Sequence, residues 1–375
     1  MEKLKIDELL TPCYIADLET FEKNIRNIDA IVKCHYPKFR IGYSYKTNYY
    51  LPFLHIAKHT GCYAEIVSPE EFNMCKHFEE PVHNIIYNGV IPDFENKLAV
   101  ALMGGIVNLE NIHEFREFVK YSNEVKREIE IGVRVNFDVG NGLISRFGID
   151  IDSPEFKEIA NFNSHPYLKI KCIHFHLGGA RAPEYFRTRV QKTVSLARLL
   201  GARIVDIGGN IYGNMGEDFK AQLPFTAPTT KEVCTAIGEE MAKCCPQKDL
   251  ELIVECGSPV CSDAMHLLTT ITNVNHVRGK TFITCDCRNT DAGWSISKYD
   301  PSHKHFGKQD NVMSHATVCG CECREKDILI RNYNLPANVG DRILIKNIGS
   351  YSYNVVNNFI TLGCDKVYDI KEVLW

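Results

Sequence analysis

The chain lacks what would carry it into a membrane or out of the cell. No apolar run reaches the roughly 18 residues that a membrane span requires. The opening segment, MEKLKIDELLTP, is charged and holds no apolar stretch of signal-peptide type, so the cytoplasm is the expected location. Neither sign of charge is in excess: 43 Lys and Arg stand against 47 Asp and Glu, a net charge of −4. With a pI near 6.4, nothing in the composition points to nucleic acid or an anionic membrane as a partner. Internal repeats, low-complexity tracts and flexible linkers are also missing.

What is present is ordinary globular usage. The 375 residues are 45% hydrophobic and 24% charged, enough for one large domain or two of common size. The 16 cysteines read as reduced thiols, because a chain of this length without a secretion signal rarely carries a disulfide framework. CGCEC sets Cys319, Cys321 and Cys323 at alternate positions, on one face if the segment is a strand. Zinc sites prefer CxxC spacing and a second ligand pair, which Cys285 and Cys287 of CDC could supply. Buried thiols are the commoner outcome, and no metal is expected.

Short runs rich in Ile, Val, Phe and Tyr recur: FRIGYSY (39–45), CYAEIV (62–67), NIIYN (84–88), GGIVN (104–108), IEIGVRVNF (129–137), KIKCIHFH (169–176), ARIVDIG (202–208) and LELIVEC (250–256). They are continuous rather than alternating, as in strands covered on both faces. Helical periodicity lies between them, in PEEFNMCKHF, in EYFRTRVQKTVSLARLLG with its closing Gly, and in TKEVCTAIGEEMAKCC with a capping Thr. Eight strands alternating with helices predict a (β/α)8 barrel. An open doubly wound sheet is the alternative, but no GxGxxG follows the first strand. After residue 262 the texture changes to TTITNVNHV, TFITCDC, HATVCGCEC, DILIRNY, DRILIKNI and NNFITLGC, with a turn at PANVGD. This predicts an antiparallel β-domain. The expected division is 1–35 as an extended segment packing with the β-domain, 36–262 as the barrel, and 263–375 as the β-domain.

Barrel chemistry gathers at the C-terminal ends of the strands. There stand Lys46, Ser68, Asn88, Asn108, Asn136, His174, His176, the GGN at 208–210, and Glu255. Lys46 is either a desolvated amine of lowered pKa acting as a nucleophile, or a lysine whose head reaches solvent. Its neighbours favour the first. DIGGN offers bare backbone N–H groups suited to a phosphate. His176 offers a flat face to a ring, and Glu255 can bond a protonated ring nitrogen. Lysine, phosphate cradle, flat ring and carboxylate together describe a pyridoxal phosphate site.

The motifs TPCYIADLE, YSYKTN, AEIVSPEE, SRFGI, HFHLGG, DIGGN, ECGSPV, CGCECREKD and GSYSYNVVNNF follow one another along nearly the whole chain. In that order they resemble TPxYxYD, YAxKAN, DVxSxGE, SKFGI, HxHxGS, DxGGG, EPGRxxV, GPxCExxD and GAYxxSMxSNFN of the fold-type III pyridoxal-phosphate-dependent decarboxylases, the family of diaminopimelate and ornithine decarboxylases. Alanine racemase is a more distant relative. The resemblance implies that Lys46 carries the cofactor as a Schiff base and that His176 stacks on its ring. It implies that Gly208, Gly209 and the backbone at Gly257 hold the phosphate with the Tyr351 hydroxyl, and that Glu255 pairs with the pyridine nitrogen. An anion there keeps the nitrogen protonated and the ring a deep electron sink. An arginine, as in the racemases, would leave a shallower sink, so the glutamate favours decarboxylation. Cys323 matches the family's cysteine, which handles the carbanion's protonation from the partner subunit. A homodimer with shared active sites is therefore implied.

Departures from the pattern concern the substrate. Arg324 stands where the family has an acid that meets a distal ammonium group, and a cation there would attract a carboxylate instead. Ser258 replaces the EPGR arginine, GGN replaces GGG, and HLGG lacks the usual Ser. In CDCRNTDAGWSISKYDPSHKHFG, Arg288 or Tyr299 is a candidate for the roles of RPxLY. The expected function is that of a carboxy-lyase: decarboxylation of an L-amino acid, or a similar molecule, with a non-cationic or acidic distal end. Arg324, Ser258 and Tyr351 are the expected substrate contacts. The alternatives are a racemase or epimerase on the same cofactor, and a non-catalytic decarboxylase-like binding protein.

Overall fold

The computed structural model describes residues 3–162, 165–293, 296, 298–355, 358–360 and 362–375. Met1 and Glu2, Trp294, Ser295 and Ser297 of the segment matched to RPxLY, and Val356 and Asn357 of GSYSYNVVNNF lie outside the described residues.

Eight parallel strands close a ring: Phe39–Ser44, Tyr63–Ile66, Ile85–Tyr87, Ile106–Leu109, Ile129–Asn136, Leu168–His174, Ile204–Asp206 and Glu251–Cys256. Ile106–Leu109 pairs with Ile129–Asn136, and Glu251–Cys256 returns to Phe39–Ser44, so the sheet has no open edge here and the doubly wound alternative falls away. Helices run outside, the first being Leu18–His35. That helix follows from its sequence: the Asp17 carboxylate accepts the Thr20 N–H at 2.9 Å, and Phe21, Ile25, Ile28 and Val32 recur at helical spacing and are buried. The expected helices at 69–78, 184–201 and 230–245 are Pro69–His77, Pro183–Leu200 and Thr230–Cys244. In the last, the capping residue is Thr229, one position earlier than expected, because only there does Glu232 stand three residues on to complete a capping box.

Strand periodicity sorts the barrel interior into layers. Tyr63, Ile86, Ile106, Cys172, Ile204 and Ile253 form one buried apolar cluster. Two residues further along the same strand paths stand Glu65, Asn88, Asn108, His174, Asp206 and Glu255, all buried. Side chains two apart share a face. The barrel therefore has an apolar floor and, towards the strands' C-terminal ends, a polar layer.

The second sheet contains His303–Phe306, Arg342–Ile345, Met265–Val277, Lys280–Cys285, Ala316–Cys319 and Ile328–Tyr333. Cys13–Ala16 adds antiparallel to Met265–Leu268. The sheet is antiparallel except where Lys280–Cys285 meets Ala316–Cys319 and where Val367–Asp369 meets Cys13–Ala16. A parallel pair needs a long crossover, which residues 286–315 provide in the first case.

The CGCEC segment does not continue as a strand. Its ladder ends at Cys319, and the following turn is held by Asp327, which accepts the Glu322 N–H at 2.8 Å and the Asn289 N–H at 2.7 Å. Cys321 and Cys323 thus leave the face expected of them. All 16 cysteines are free thiols. Among the described residues no helix is long and apolar enough to cross a membrane.

Candidate active site

Lys46 sits on a single 3-10 turn, Tyr45–Thr47, directly beyond the first barrel strand. Its Nζ pairs with the carboxylate of Glu65, whose side chain is 1% exposed. Asn88 ties the polar layer together: its Nδ2 donates to Glu65 Oε1 at 3.0 Å and to Glu255 Oε1 at 2.5 Å. Asn108 donates to Asn88 Oδ1 at 2.8 Å, which fixes the amide so that both of its hydrogens face the carboxylates. Burial alone would lower the Lys46 amine, but the charges of Glu65 and Glu255 and the Tyr351 hydroxyl outweigh it, and the amine lies above the ordinary lysine value. The expectation of a lowered amine is thus corrected: the facing carboxylates hold it as an ammonium.

Glu255 is the penultimate residue of the last barrel strand. Its Oε2 lies 3.3 Å from His176 Nδ1, and its Oε1 lies 3.2 Å from His174 Nε2. Burial acts to raise its carboxyl, yet His174, His176 and Lys46 hold it well below the usual carboxylate range. Asp206 behaves oppositely: burial, then the neighbouring charge of Glu255, push its carboxyl well above that range. One acid is therefore an anion and the other keeps its proton. Burial pushes the His176 imidazole down, with Glu255 only partly opposing it. Among the described residues, His174, Asp206 and Glu255 are the His, Cys, Asp and Glu side chains grouped closely enough to share an ion, and no cysteine is among them.

The glycine loop is set by contact. Gly208 has φ +68°, the left-handed region that glycine tolerates, and a Cβ on Gly209 would lie 2.0 Å from the Glu255 carbonyl oxygen. The Glu255 N–H donates to Gly208 O at 3.0 Å, the Gly209 N–H faces His176 Nδ1 at 3.1 Å, and the buried Arg189 donates to Gly209 O at 2.9 Å. At Gly257 a Cβ would meet Thr47 Oγ1 at 2.1 Å. That hydroxyl is buried without a partner among the described residues. Tyr351 comes from the other domain and is fastened beside Lys46, its N–H donating to Thr47 O at 2.9 Å. Asn354 strengthens the join: it donates to Lys46 O at 3.0 Å and accepts the Tyr49 N–H at 2.7 Å.

A pyridoxal phosphate group needs an amine, a flat neighbour, an anion for the ring nitrogen, and bare backbone for the phosphate. Lys46, His176 and Glu255 fit the first three needs. The Gly208 and Gly209 N–H groups already face Asp206 Oδ1 at 3.0 Å and His176 Nδ1 at 3.1 Å, so the loop offers the room left by absent side chains rather than free donors. The Thr47 hydroxyl beside Gly257, without a partner among the described residues, is a polar atom open to an acceptor. Ser258 and Tyr351 border a cavity of about 460 Å³ whose lining includes Arg181, Tyr212, Tyr299 and Lys346 and, among the described residues, no Asp or Glu.

The remaining sequence candidates lie apart. Cys323 is exposed on the 320–324 turn. Arg324 is engaged within that turn, donating to Glu322 Oε2 at 2.5 Å and to Asn289 Oδ1 at 3.2 Å. Arg288 is buried against Asp291 at 2.7 Å. Ser68 caps Pro69–His77, and Asn136 holds the SRFGI loop through Ser145 O and Phe147 O. Sequence reasoning passed over Glu65 and Asp206. The signal was there: each follows an apolar inward residue by two positions on its strand.

Known proteins resemble the chain in sequence and in fold. Residues 19–262 match the family described as pyridoxal-dependent decarboxylase, pyridoxal binding domain. Diaminopimelate decarboxylase of Methanocaldococcus jannaschii is 24% identical over 376 residues, covering 94% of this chain and 84% of that protein. The Vibrio cholerae enzyme of the same name is 26% identical, covering 94% and 85%. In fold, the M. jannaschii structure in complex with L-lysine matches with a TM-score of 0.82 at 21% identity, covering 96% of this chain and 88% of that one. The Paramecium bursaria Chlorella virus arginine decarboxylase matches at 0.81 and 18%, covering 96% of each chain.

Proposed function

Because the chain belongs to the pyridoxal-dependent decarboxylases and is an amino-acid decarboxylase that uses pyridoxal phosphate, we propose that Lys46 carries the cofactor and Glu255 governs its electronics. The observation that carries this reading is the buried Glu255 carboxylate near the end of the last barrel strand, on the polar layer that also holds the Glu65 partner of Lys46. It lies 3.2 Å from His174 Nε2 and 3.3 Å from His176 Nδ1, and accepts from Asn88 Nδ2 at 2.5 Å. When bound, pyridoxal phosphate supplies the electron sink into which the pair left by departing CO2 is drawn. As an anion, Glu255 would keep a proton on the ring nitrogen of the bound cofactor. His176 would offer its flat face to the ring. Glu65 is the acceptor placed to take the proton that Lys46 Nζ must lose before it can act as a nucleophile. Gly208, Gly209 and Gly257 would give the phosphate end room by their lack of side chains, and Tyr351 would hold it with its hydroxyl.

Cys323 is the proton donor to the carbon that CO2 leaves. It is a free, exposed thiol, open to the approach of a second copy of the chain that would bring it to the site. The active form is then a homodimer.

The substrate's distal end is neutral or acidic. At the 320–324 turn Glu322 is already paired with Arg324, which leaves that carboxylate neutralised towards an ammonium group. Ser258 and Tyr351 border a cavity whose lining, among the described residues, holds no acidic side chain. Purified enzyme should release CO2 from a single enantiomer without inverting it, and should lose both its yellow colour and its activity on Lys46→Ala. A preference for lysine, ornithine or diaminopimelate over neutral and acidic amino acids would refute the substrate reading. Inversion without CO2 release would refute the reaction.

A further inference from the structure

Charge around the glycine loop is not explained by the residues assigned so far. The point rests on pyridoxal phosphate being the ligand. Its phosphate is an anion, and the residues assigned to it, Gly208, Gly209, Gly257, Ser258 and Tyr351, bring no positive charge. Two arginines flank this loop. Arg181 donates through Nε to Asn210 Oδ1 at 2.7 Å, and its guanidinium lies 4.3 Å from the centroid of the Tyr212 ring. It borders the same cavity as Ser258 and Tyr351, and no carboxylate pairs with it among the described residues.

Asn210 has φ +71°, in the left-handed region where a glycine would be at ease. It donates from Nδ2 to Leu177 O at 3.1 Å while accepting from Arg181. The side chain is a brace between the loop and the guanidinium, which explains why a non-glycine residue occupies a glycine conformation. Arg189 lies behind the loop, wholly buried. Its donors go to the carbonyls of Gly209, Leu177 and Ala180, its Nε has no partner, and no carboxylate pairs with it among the described residues. A buried guanidinium without a counter-ion is costly, and an anion seated on the far side of the Gly209 peptide would offset that cost.

We propose that Arg181, braced by Asn210, supplies the charge-assisted grip on the cofactor's phosphate, with Arg189 as the buried positive charge behind it. The test is a titration of cofactor-stripped protein with pyridoxal phosphate, and in parallel with pyridoxal, which lacks the phosphate. Arg181→Gln should weaken pyridoxal phosphate binding about ten- to a hundredfold and leave pyridoxal unchanged. Asn210→Gly relieves the backbone and removes the brace, so it should fold normally and weaken pyridoxal phosphate binding by a smaller factor. The double variant should bind no more weakly than Arg181→Gln alone, since both changes remove one interaction. Wild-type affinity in Arg181→Gln would overturn the proposal, as would an equal loss for pyridoxal. Unchanged cofactor affinity with a raised KM would also overturn it, placing Arg181 on the substrate. A wild-type protein that takes up no pyridoxal phosphate would instead overturn the cofactor reading on which it rests.

Discussion

Adding one methyl group at Gly209 should distort the site more than most substitutions of its side chains. The new Cβ would lie 2.0 Å from the Glu255 carbonyl oxygen, a backbone atom that no rotamer change can move. The loop cannot retreat freely either. The Gly208 carbonyl is held by the Glu255 N–H at 3.0 Å, and the Gly209 carbonyl by Arg189 at 2.9 Å. Relief requires a shift of the loop or of the strand end that carries Glu255. Overpacking of this kind costs about 1–3 kcal/mol, and each hydrogen bond lost adds about 1 kcal/mol. At roughly 2–4 °C per kcal/mol, the melting temperature should fall by about 5–10 °C. Gly178→Ala is the control: it lies in the neighbouring His176 loop, with no atom within 4 Å of its Cβ position. Calorimetry of both variants without cofactor, followed by cofactor content, makes the comparison. A Gly209→Ala protein that melts within about 1 °C of wild type and keeps full cofactor occupancy would refute the reasoning.

Other outcomes follow from the polar layer. Glu255→Gln should still bind pyridoxal phosphate but lose about 10²–10³-fold or more in turnover, measured as CO2 release. Glu65→Gln removes the charge that raises the Lys46 amine, so the pH at which cofactor uptake accelerates should move down, as followed by absorbance. Asp206 titrates in the folded protein above its unfolded value of about 4, so the native state binds the extra proton; its contribution to stability is full below about pH 4 and is lost as pH rises. Asp206→Asn should therefore be more stable than wild type at pH 8, with the difference shrinking towards pH 4 in denaturant titrations. Mixing the inactive Lys46→Ala and Cys323→Ala proteins should restore activity to about a quarter of wild type, because a two-fold dimer of the two retains one intact site.

The barrel was legible because its strands are covered on both faces and read as near-continuous apolar runs with polar residues at or close to their ends. The boundaries were less so: GGIVN was expected at 104–108, but the strand is Ile106–Leu109, since the glycines there serve the preceding turn. Lys46, His176 and Glu255 stood out by position. Glu65 did not, because an acid inside CYAEIV looks like a strand's solvent face until the barrel closes and turns it towards Asn88 and Lys46. The same holds for Asp206 in ARIVDIG. Cross-barrel hydrogen bonds join residues far apart in the chain, and no local pattern announces them. The raised amine of Lys46 was missed for that reason, since desolvation is visible in an apolar run but two facing carboxylates are not. Arg324 was read as a free cation because its pairing with Glu322 depends on a turn whose shape is imposed by Asp327.

The lysine turn is pinned by residues some 300 positions downstream: Asn354 bonds the Lys46 carbonyl and the Tyr49 amide, and Gly349 O accepts from Asn48 at 2.8 Å. Gene fusions or shuffling that swap one half of this enzyme for a homologue's would separate those partners. The two halves must therefore be inherited as a matched set, and a hybrid should recover activity only when the stretch around Asn354 travels with the first half.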